Sequence, residues 1–252
     1  MPNYSIPNLL NAGRVLKLLA AEPGLTVLQI SRALKVPRTT VLRIVCSLAR
    51  EGLLDVDERS TYTLGSTLIY LGIRAMDGVD LTGMAKPLLK QLAVKTGETA
   101  HIAMLSDEKS LLLEVCQSPL PIRAGAPAGT LADLHCSATG KIFLAWNFAD
   151  KLDEFFAKVR PAVRTARTIA TAEAMAGEIG RVLKRGYAVD EEEYYDGIRC
   201  VAVPVFNSRG HVHIALGITG VTKRLTRARI PGCVAQLKEA AATLSAALGH
   251  RP

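Results

Sequence analysis

The sequence predicts an α+β chain of two domains, in which a winged helix-turn-helix precedes a sheet with helices packed on it. Three observations predict this class. The chain has 252 residues, which is enough for two ordinary domains. Short helical patterns and then two short strand patterns fill residues 1–65. Strand patterns mixed with helices follow a helical connector. We therefore expect a winged helix-turn-helix over 1–65, a linker helix over 66–80 and a second domain over 81–252.

The first domain is predicted from apolar residues at helical spacing and from residues that cap or end helices. Helices are expected over 9–21, 27–35 and 38–51. Pro23-Gly24 ends the first helix, Thr26 caps the second and Gly52 ends the third. Strands over 53–57 and 61–64 would form the wing. The inward positions expected on the first and third helices are Leu9, Leu10, Ala12, Val15, Leu16, Leu19, Val41, Leu42, Val45 and Leu48.

The second domain is predicted to combine strands with helices. The expected strands are 98–106, 110–117, 119–124, 197–206 and 211–219. The expected helices are 138–148, 150–158, 171–185 and 229–248. Strand side chains alternate between two faces, and in 211–219 bulky residues alternate with small or polar ones. The bulky set is Val212, Ile214, Leu216 and Ile218, and the other set is His213, Ala215, Gly217 and Thr219. We expect helices on the bulky face and a ligand cavity on the other.

The charge distribution points to an anionic partner. The net charge of +8 fits nucleic acid, an anionic membrane or an acidic small molecule. The stretch from Thr26 to Arg50 contains basic residues and no acidic one. A recognition helix contacts base edges and phosphates with its N-terminal residues, and a basic wing can reach the minor groove. We predict double-stranded DNA as the partner, contacted by Arg32, Arg38, Thr39, Thr40, Arg43 and Arg59. A solvated basic face is the alternative interpretation.

Several classes of protein are disfavoured by what the sequence lacks. The N-terminal residues show no basic segment followed by an apolar run, and no stretch approaches about 18 uninterrupted apolar residues. The five cysteines are scattered, which fits reduced thiols. We expect a cytoplasmic protein without a membrane partner. There is no P-loop, no GxGxxG after a strand and no HExxH, so we expect no cofactor and no metal.

Motifs along nearly the whole chain resemble the IclR family of bacterial transcription regulators. The motifs that carry the resemblance are Pro37-Arg38-Thr39-Thr40-Val41, Tyr62-Thr63-Leu64-Gly65, Thr96-Gly97-Glu98-Thr99-Ala100-His101, the run His135 to Lys141, Arg185-Gly186-Tyr187-Ala188 and Gly197-Ile198-Arg199-Cys200. The resemblance implies a GAF-like, mixed α/β effector-binding domain after the linker. It also implies a repressor or activator that binds a pseudo-palindromic operator as a homodimer or a dimer of dimers. Effectors in this family are typically small organic or aromatic acids.

The resemblance also implies where the effector binds. The matching positions are Ala138, Thr139, Asp190, Ile198, Cys200, Gly217 and Thr219. Gly217 departs from the family, where serine is usual, so the outline of the pocket transfers better than the identity of the effector. The residues themselves favour a carboxylic acid, because the helix that starts after Ser137 offers free backbone N–H groups. The alternative is an ordinary helix start capped by Ser137 or Thr139.

Two other functions fit parts of the sequence. A small-molecule enzyme could use Asp190, Cys200 and His135, although no activated nucleophile–base pair can be named. A protein-interaction adaptor could use the winged helix without DNA. Glu191–Glu193 is expected to form a solvated acidic turn, and Tyr194 and Tyr195 either line the mouth of the pocket or pack at the surface.

Overall fold

A computed structural model describes residues 5–76 and 81–251. Contacts between residues divide the chain into two units, residues 1–80 and 81–252. The predicted linker helix begins as expected, because a helix runs from Ser66 to Met76. Its predicted end, residues 77–80, lies outside the described residues. Among the described residues, no helix combines the length and apolar character that crossing a bilayer requires.

The first unit has the helices and the wing that its sequence predicts. Its helices are α1 (Pro7–Ala21), α2 (Val27–Leu34), α3 (Arg38–Arg50) and α4 (Ser66–Met76). Its strands are β1 (Leu25–Thr26), β2 (Leu54–Val56) and β3 (Thr61–Leu64), which pair antiparallel in the order β1-β3-β2. Thr26 caps α2 in a capping box with Gln29. The two-residue strand β1 was not predicted, because it is recognisable only by its pairing with β3.

The core of the first unit joins α1, α2, α3 and the wing. Val15, Ile30, Val41 and Val45 are fully buried in it. Three of the expected inward positions are wrong. Leu9, Leu10 and Leu42 are 68%, 58% and 47% exposed, and Ile44 is buried in the third helix instead. The helices therefore bury a narrower stripe than the apolar pattern predicts.

The second unit is a six-stranded sheet covered by helices. Its helices are α5 (Leu81–Thr96), α6 (Ala138–Asn147), α7 (Leu152–Val159), α8 (Ala172–Arg185) and α9 (Ile230–Ala247). Its strands are β4 (Thr99–Ser106), β5 (Lys109–Cys116), β6 (Leu131–Asp133), β7 (Ala188–Glu191), β8 (Ile198–Phe206) and β9 (Val212–Val221). They pair in the order β6-β5-β4-β9-β8-β7, and each pairing is antiparallel. The strand expected over 119–124 is wrong, and the short β6 pairs with β5 instead.

Side chains that alternate along β8 and β9 contribute to a hydrophobic core on each face of the sheet. Leu216, Ile218 and the valines of β8 pack under α5 and α9. Ala202 and Ala215 face a second core, formed with α6, α7 and α8. Helices therefore cover part of the face that was expected to stay open. Val212 joins this second core rather than the bulky set, because a register shift near Phe206 reverses the alternation there.

Candidate functional site

The recognition surface of the first unit combines exposed cations with hydroxyl groups. Arg38 and Thr39 are exposed in the first turn of α3, and Arg43 is exposed one turn later. Arg32 is exposed on α2. None of these arginines has an ion-pair partner within the described part of the chain. Unpaired guanidinium groups remain available for phosphates and guanine.

The wing presents Arg59 from a turn that is organised by an aspartate. The Asp57 carboxylate accepts the backbone N–H groups of Arg59, at 3.0 Å, and Thr61, at 2.8 Å. The hydrogen bonds from Thr61 hold the pKa of Asp57 below its usual value. Arg59 is exposed at this turn. Thr40, the remaining predicted contact, is half-buried and borders a cleft between α1 and α3.

The second unit contains a cavity of about 300 Å³ on the sheet face that also carries α6. We call it the effector cavity. Its walls are Thr99, His101, Leu112, Val115, Ala124, Gly125, Ala126, Thr130, Ala132, Ser137, Ala138, Thr139, Asp190, Tyr194, Tyr195, Ile198, Cys200 and Thr219. Most of these side chains are apolar or carry a single hydroxyl group. None is a lysine or an arginine, so the walls supply no side-chain cation.

Six of the seven predicted effector residues meet in this cavity. They are Ala138, Thr139, Asp190, Ile198, Cys200 and Thr219. Gly217 does not line it. A Cβ atom at Gly217 would lie 2.7 Å from Nε2 of His101, so the imidazole already occupies the space above this glycine. The missing side chain leaves room for His101 rather than for a ligand.

The first turn of α6 supplies hydrogen-bond donors to the cavity. Ser137 caps the helix by accepting the backbone N–H of Gly140 at 3.2 Å. The N–H groups of Ala138 and Thr139 have no acceptor among the described residues, as is usual at a helix start. The hydroxyl of Thr139 is bound to Ser110 at 2.8 Å. These two free donors and the helix dipole favour an anionic group.

Asp190 is a buried carboxyl group with one free oxygen. Its Oδ1 accepts the backbone N–H groups of Glu193, at 2.7 Å, and Tyr194, at 3.3 Å. Its Oδ2 is buried without a protein partner. Burial raises the pKa of Asp190 to about 7. Burial, and then the charge of Asp190, raises the pKa of the Cys200 thiol, which lies 3.2 Å from Oγ1 of Thr219. The thiol is therefore an unreactive wall of the cavity.

Sequence reasoning missed His101 and left the two tyrosines open. Burial lowers the pKa of His101 to about 4, so a neutral imidazole lines the cavity. Alternation could have found it, because Thr99 and His101 share a face of β4 opposite Ala100 and Ile102. Tyr194 and Tyr195 both line the cavity, and the guanidinium of Arg164 stacks on Tyr194 at 4.2 Å.

A buried ionic network connects α6 to the turn that follows β7. Lys141 is 1% exposed, and its ammonium group donates to the carboxylate of Glu193 and to the carbonyl oxygen of Val189. A carboxylate oxygen of Glu178 lies 3.7 Å away. The expected solvated acidic turn is therefore wrong. Glu193 is buried, while Glu191 pairs with Arg199, and Glu192 with Arg167.

His135 and Cys136 form a cluster with Asp133, whose carboxylate is already paired with two cations. Ligand atoms of Asp133, His135 and Cys136 lie within 4.8 Å of one another. Lys109 and Arg164 both pair with the carboxylate of Asp133. These two cations disfavour a divalent metal there. His135 instead bonds the carbonyl oxygen of Ala162 at 3.0 Å.

Both units match models of one protein family. Residues 9–58 match the IclR helix-turn-helix domain. Residues 73–246 match the C-terminal domain of the bacterial transcriptional regulator IclR. The two matches cover the recognition helix α3 and the whole effector cavity.

Individual relatives agree over nearly the full chain. The transcriptional regulator BhcR of Paracoccus denitrificans is 32% identical, over 94% of this chain and 85% of BhcR. The regulator KdgR of Escherichia coli is 30% identical, over 98% of this chain and 94% of KdgR. The crystal structure of an IclR transcriptional regulator from Alicyclobacillus acidocaldarius superposes with a TM-score of 0.84 at 32% identity, covering 98% of this chain and all of that one. This chain belongs to the IclR family of DNA-binding transcriptional regulators.

Proposed function

We propose that this regulator binds a pseudo-palindromic operator as a homodimer, and that a small carboxylic acid in the effector cavity changes its affinity for DNA. The observation that carries the proposal is the cavity itself. It combines two free N–H groups at the start of α6 with a buried carboxyl oxygen that lacks a partner. Buried polar groups are rarely left unpaired, so the cavity favours a polar ligand. The site of action is the cytoplasm, where bacterial operators lie.

In the proposed complex with DNA, α3 enters the major groove. Arg38, Thr39 and Thr40 stand at its N-terminal end, where recognition helices contact base edges. Arg43 and Arg32 contact phosphates, and Arg59 reaches the adjacent minor groove from the wing. Two copies would place their recognition helices about 34 Å apart.

The proposed dimer contact is α4. This helix exposes three consecutive apolar side chains, Ile69, Tyr70 and Leu71, whose exposures are 67%, 62% and 48%. Neighbouring exposed apolar side chains of this kind mark an interaction surface. Pairing through α4 would join two winged helices, as a two-fold operator requires.

The test is a gel shift on the DNA upstream of the gene and its neighbours, with competitor DNA, in the presence and absence of small aliphatic and aromatic acids. We expect a discrete complex whose affinity changes with one class of acid and falls steeply with salt. Footprinting should place two half-sites one helical turn apart. A winged helix that binds no DNA at any salt concentration would support the adaptor alternative.

In the proposed complex with the effector, its carboxylate accepts the N–H groups of Ala138 and Thr139. Protonated Asp190 donates to the second carboxylate oxygen through Oδ2. Binding therefore takes up a proton when Asp190 is ionised beforehand. The free protein holds this proton below a pKa of about 7 and loses it above that value.

We accordingly expect effector affinity to be independent of pH below pH 6. Above pH 7 it should fall by up to about tenfold per pH unit. In Asp190→Asn the effector affinity should not depend on pH, because an amide donates a hydrogen bond at every pH. Calorimetric titration between pH 5.5 and 8.5, in two buffers with different ionisation enthalpies, would count the protons taken up. A wild-type affinity that does not change between pH 5.5 and 8.5 would argue against a protonated Asp190.

Gly217→Leu should act on the cavity through His101. The new side chain would meet Nε2 of His101 and the carbonyl oxygen of Val201, which lie 2.7 Å and 3.1 Å from the added Cβ atom. The imidazole would then move into the effector cavity. We expect effector affinity to fall at least about tenfold, with the DNA affinity of the ligand-free protein unchanged.

Two variants control this experiment. Gly177→Ala on α8 adds a Cβ atom whose nearest neighbour is 3.9 Å away, so it should leave effector binding intact. Adding His101→Ala to Gly217→Leu should reopen the space and recover part of the affinity. Normal effector titration of Gly217→Leu alone would contradict the placement of His101 above Gly217.

A further inference from the structure

The loop between β5 and β6 borders both the effector cavity and a second, smaller one. This outer cavity has a volume of about 220 Å³, and Gln117, Arg123 and Pro127 contribute to its wall. The two cavities share the wall residues Thr99, Val115, Ala124, Gly125 and Ala126. The two cavities therefore adjoin along a strip that includes one valine and two alanines.

Arg123 is an unpaired cation in the outer cavity. Its side chain is exposed, and within the described part of the chain it has no carboxylate partner. Other arginines of this unit are paired, as Arg164 is with Asp133 and Arg167 with Glu192. A guanidinium group that lines a cavity without a partner is available for a carboxylate of a ligand.

The surroundings of Arg123 add further positive charge. Arg224 donates to the carbonyl oxygen of Ile122 at 2.8 Å, which anchors the loop beside Arg123. Arg224 and Arg229 share one carboxylate, that of the buried Glu98, at 2.7 Å and 3.5 Å. Arg123, Arg224 and Arg229 together with Glu98 therefore carry a net charge of +2. The effector cavity has no lysine or arginine in its wall, so the two cavities differ in potential.

We propose that the effector is a dicarboxylic acid that spans both cavities. One carboxylate binds the first turn of α6, as in the proposed function on which this inference rests. The second carboxylate pairs with Arg123 and accepts from the amide of Gln117. The carbon chain between them lies against Val115, Ala124 and Ala126. Arg123 is then the residue that selects diacids over monoacids.

Calorimetric titration with two matched series of probes tests the proposal. The diacids run from succinate to suberate, and the monoacids from butyrate to octanoate. We expect wild-type protein to prefer a diacid of one chain length, by about tenfold over the monoacid of equal length. This ratio corresponds to one charge-assisted hydrogen bond. Arg123→Gln should remove the preference and leave monoacid affinity within about twofold.

Charge reversal gives a sharper version of the same test. Arg123→Glu should lower affinity for the preferred diacid further and raise affinity for the ω-amino acid of equal length. Arg209→Gln is the matched control, because Arg209 is an exposed arginine in the turn between β8 and β9 and lines neither cavity. Fluorescence-monitored melting through Trp146, which lies in α6, checks that each variant is folded.

The possible results distinguish failure of the diacid proposal from failure of the proposed function. Monoacids that alter the operator complex as well as diacids do would overturn the diacid proposal and leave the effector cavity in place. Equal losses for both series in Arg123→Gln would overturn it as well. Failure of every acid to bind would overturn the proposed function together with the inference.

Discussion

Replacing Arg38 with alanine is expected to weaken specific operator binding by about thirtyfold or more. Arg38 is the first residue of α3, is exposed and has no acidic partner among the described residues. A guanidinium that bonds a base contributes about 1–3 kcal/mol, and a dimer would lose two of them, about 2–6 kcal/mol together. Folding should not change, because the side chain packs against nothing in the core.

Fluorescence anisotropy with a labelled operator, at several salt concentrations, measures this loss. Arg50→Ala is the matched control, because Arg50 is the last residue of the same helix and is also exposed. It lies twelve residues from Arg38, about 18 Å along the helix. We expect its effect to stay within about twofold. Affinity unchanged in Arg38→Ala would refute the recognition role.

The same titrations distinguish base contact from phosphate contact. A base contact predicts a loss for the operator that is much larger than the loss for random DNA. A phosphate contact predicts equal losses on both, with a salt slope reduced by about one for each contact removed. Arg43→Ala is expected to follow the phosphate pattern.

Replacing Lys141 with methionine is expected to destabilise the second unit by about 3–5 kcal/mol. The ammonium group is the buried partner of the Glu193 carboxylate, whose Oε2 already has no hydrogen bond. Methionine would fill most of the volume but leave that carboxylate buried and unpaired. Glu178 would keep its ion pairs with Arg181 and Arg185. The loss of stability would therefore come mainly from the unpaired charge of Glu193.

Urea unfolding followed by the fluorescence of Trp146 measures the stability of this unit. The chain has a single tryptophan, and it lies on the same helix as Lys141. Lys158→Met is the matched control, because Lys158 is 69% exposed and its ion pair with Glu108 lies at the surface. We expect the control to cost less than about 1 kcal/mol. A loss in Lys141→Met no larger than this would contradict the role of the network.

A double variant and a change of pH identify the cause of the loss. Adding Glu193→Gln to Lys141→Met removes the orphaned charge and should restore most of the stability. Burial already raises the pKa of Glu193, and losing Lys141 would raise it further. Folded protein would then hold this proton more tightly than unfolded protein. The destabilisation of Lys141→Met should therefore be largest at pH 8 and shrink towards pH 5.

Much of the fold follows from local features of the sequence. The spacing of apolar residues, the Thr26 cap and the glycine after α3 predict the three helices of the first unit to within a few residues. The alternation along β8 and β9 predicts the face that packs under α5 and α9, whereas the opposite face holds both the effector cavity and a second helical core. These features are local because a helix or a strand repeats its own geometry every few residues.

Other features depend on partners that are distant in the chain. Strand β1 exists only through its pairing with β3, and β6 only through its pairing with β5. Leu9 and Leu42 match the apolar pattern and yet remain exposed, because no element of their own unit packs over them. Whether such a strand forms or such a leucine is buried depends on where another segment of the chain lies. The periodicity of the local sequence carries no information about that position.

The site divides in the same way. The basic character of α3 is readable from the local charge pattern, and the resemblance to the IclR family implied six residues that line the cavity. Two contacts are visible only in the folded chain. His101 fills the space above Gly217, and Lys141 is buried against Glu193, 52 residues away. A buried charge is stable only where an opposite charge meets it. Such a meeting is set by the path of the chain through space, which local sequence patterns do not record.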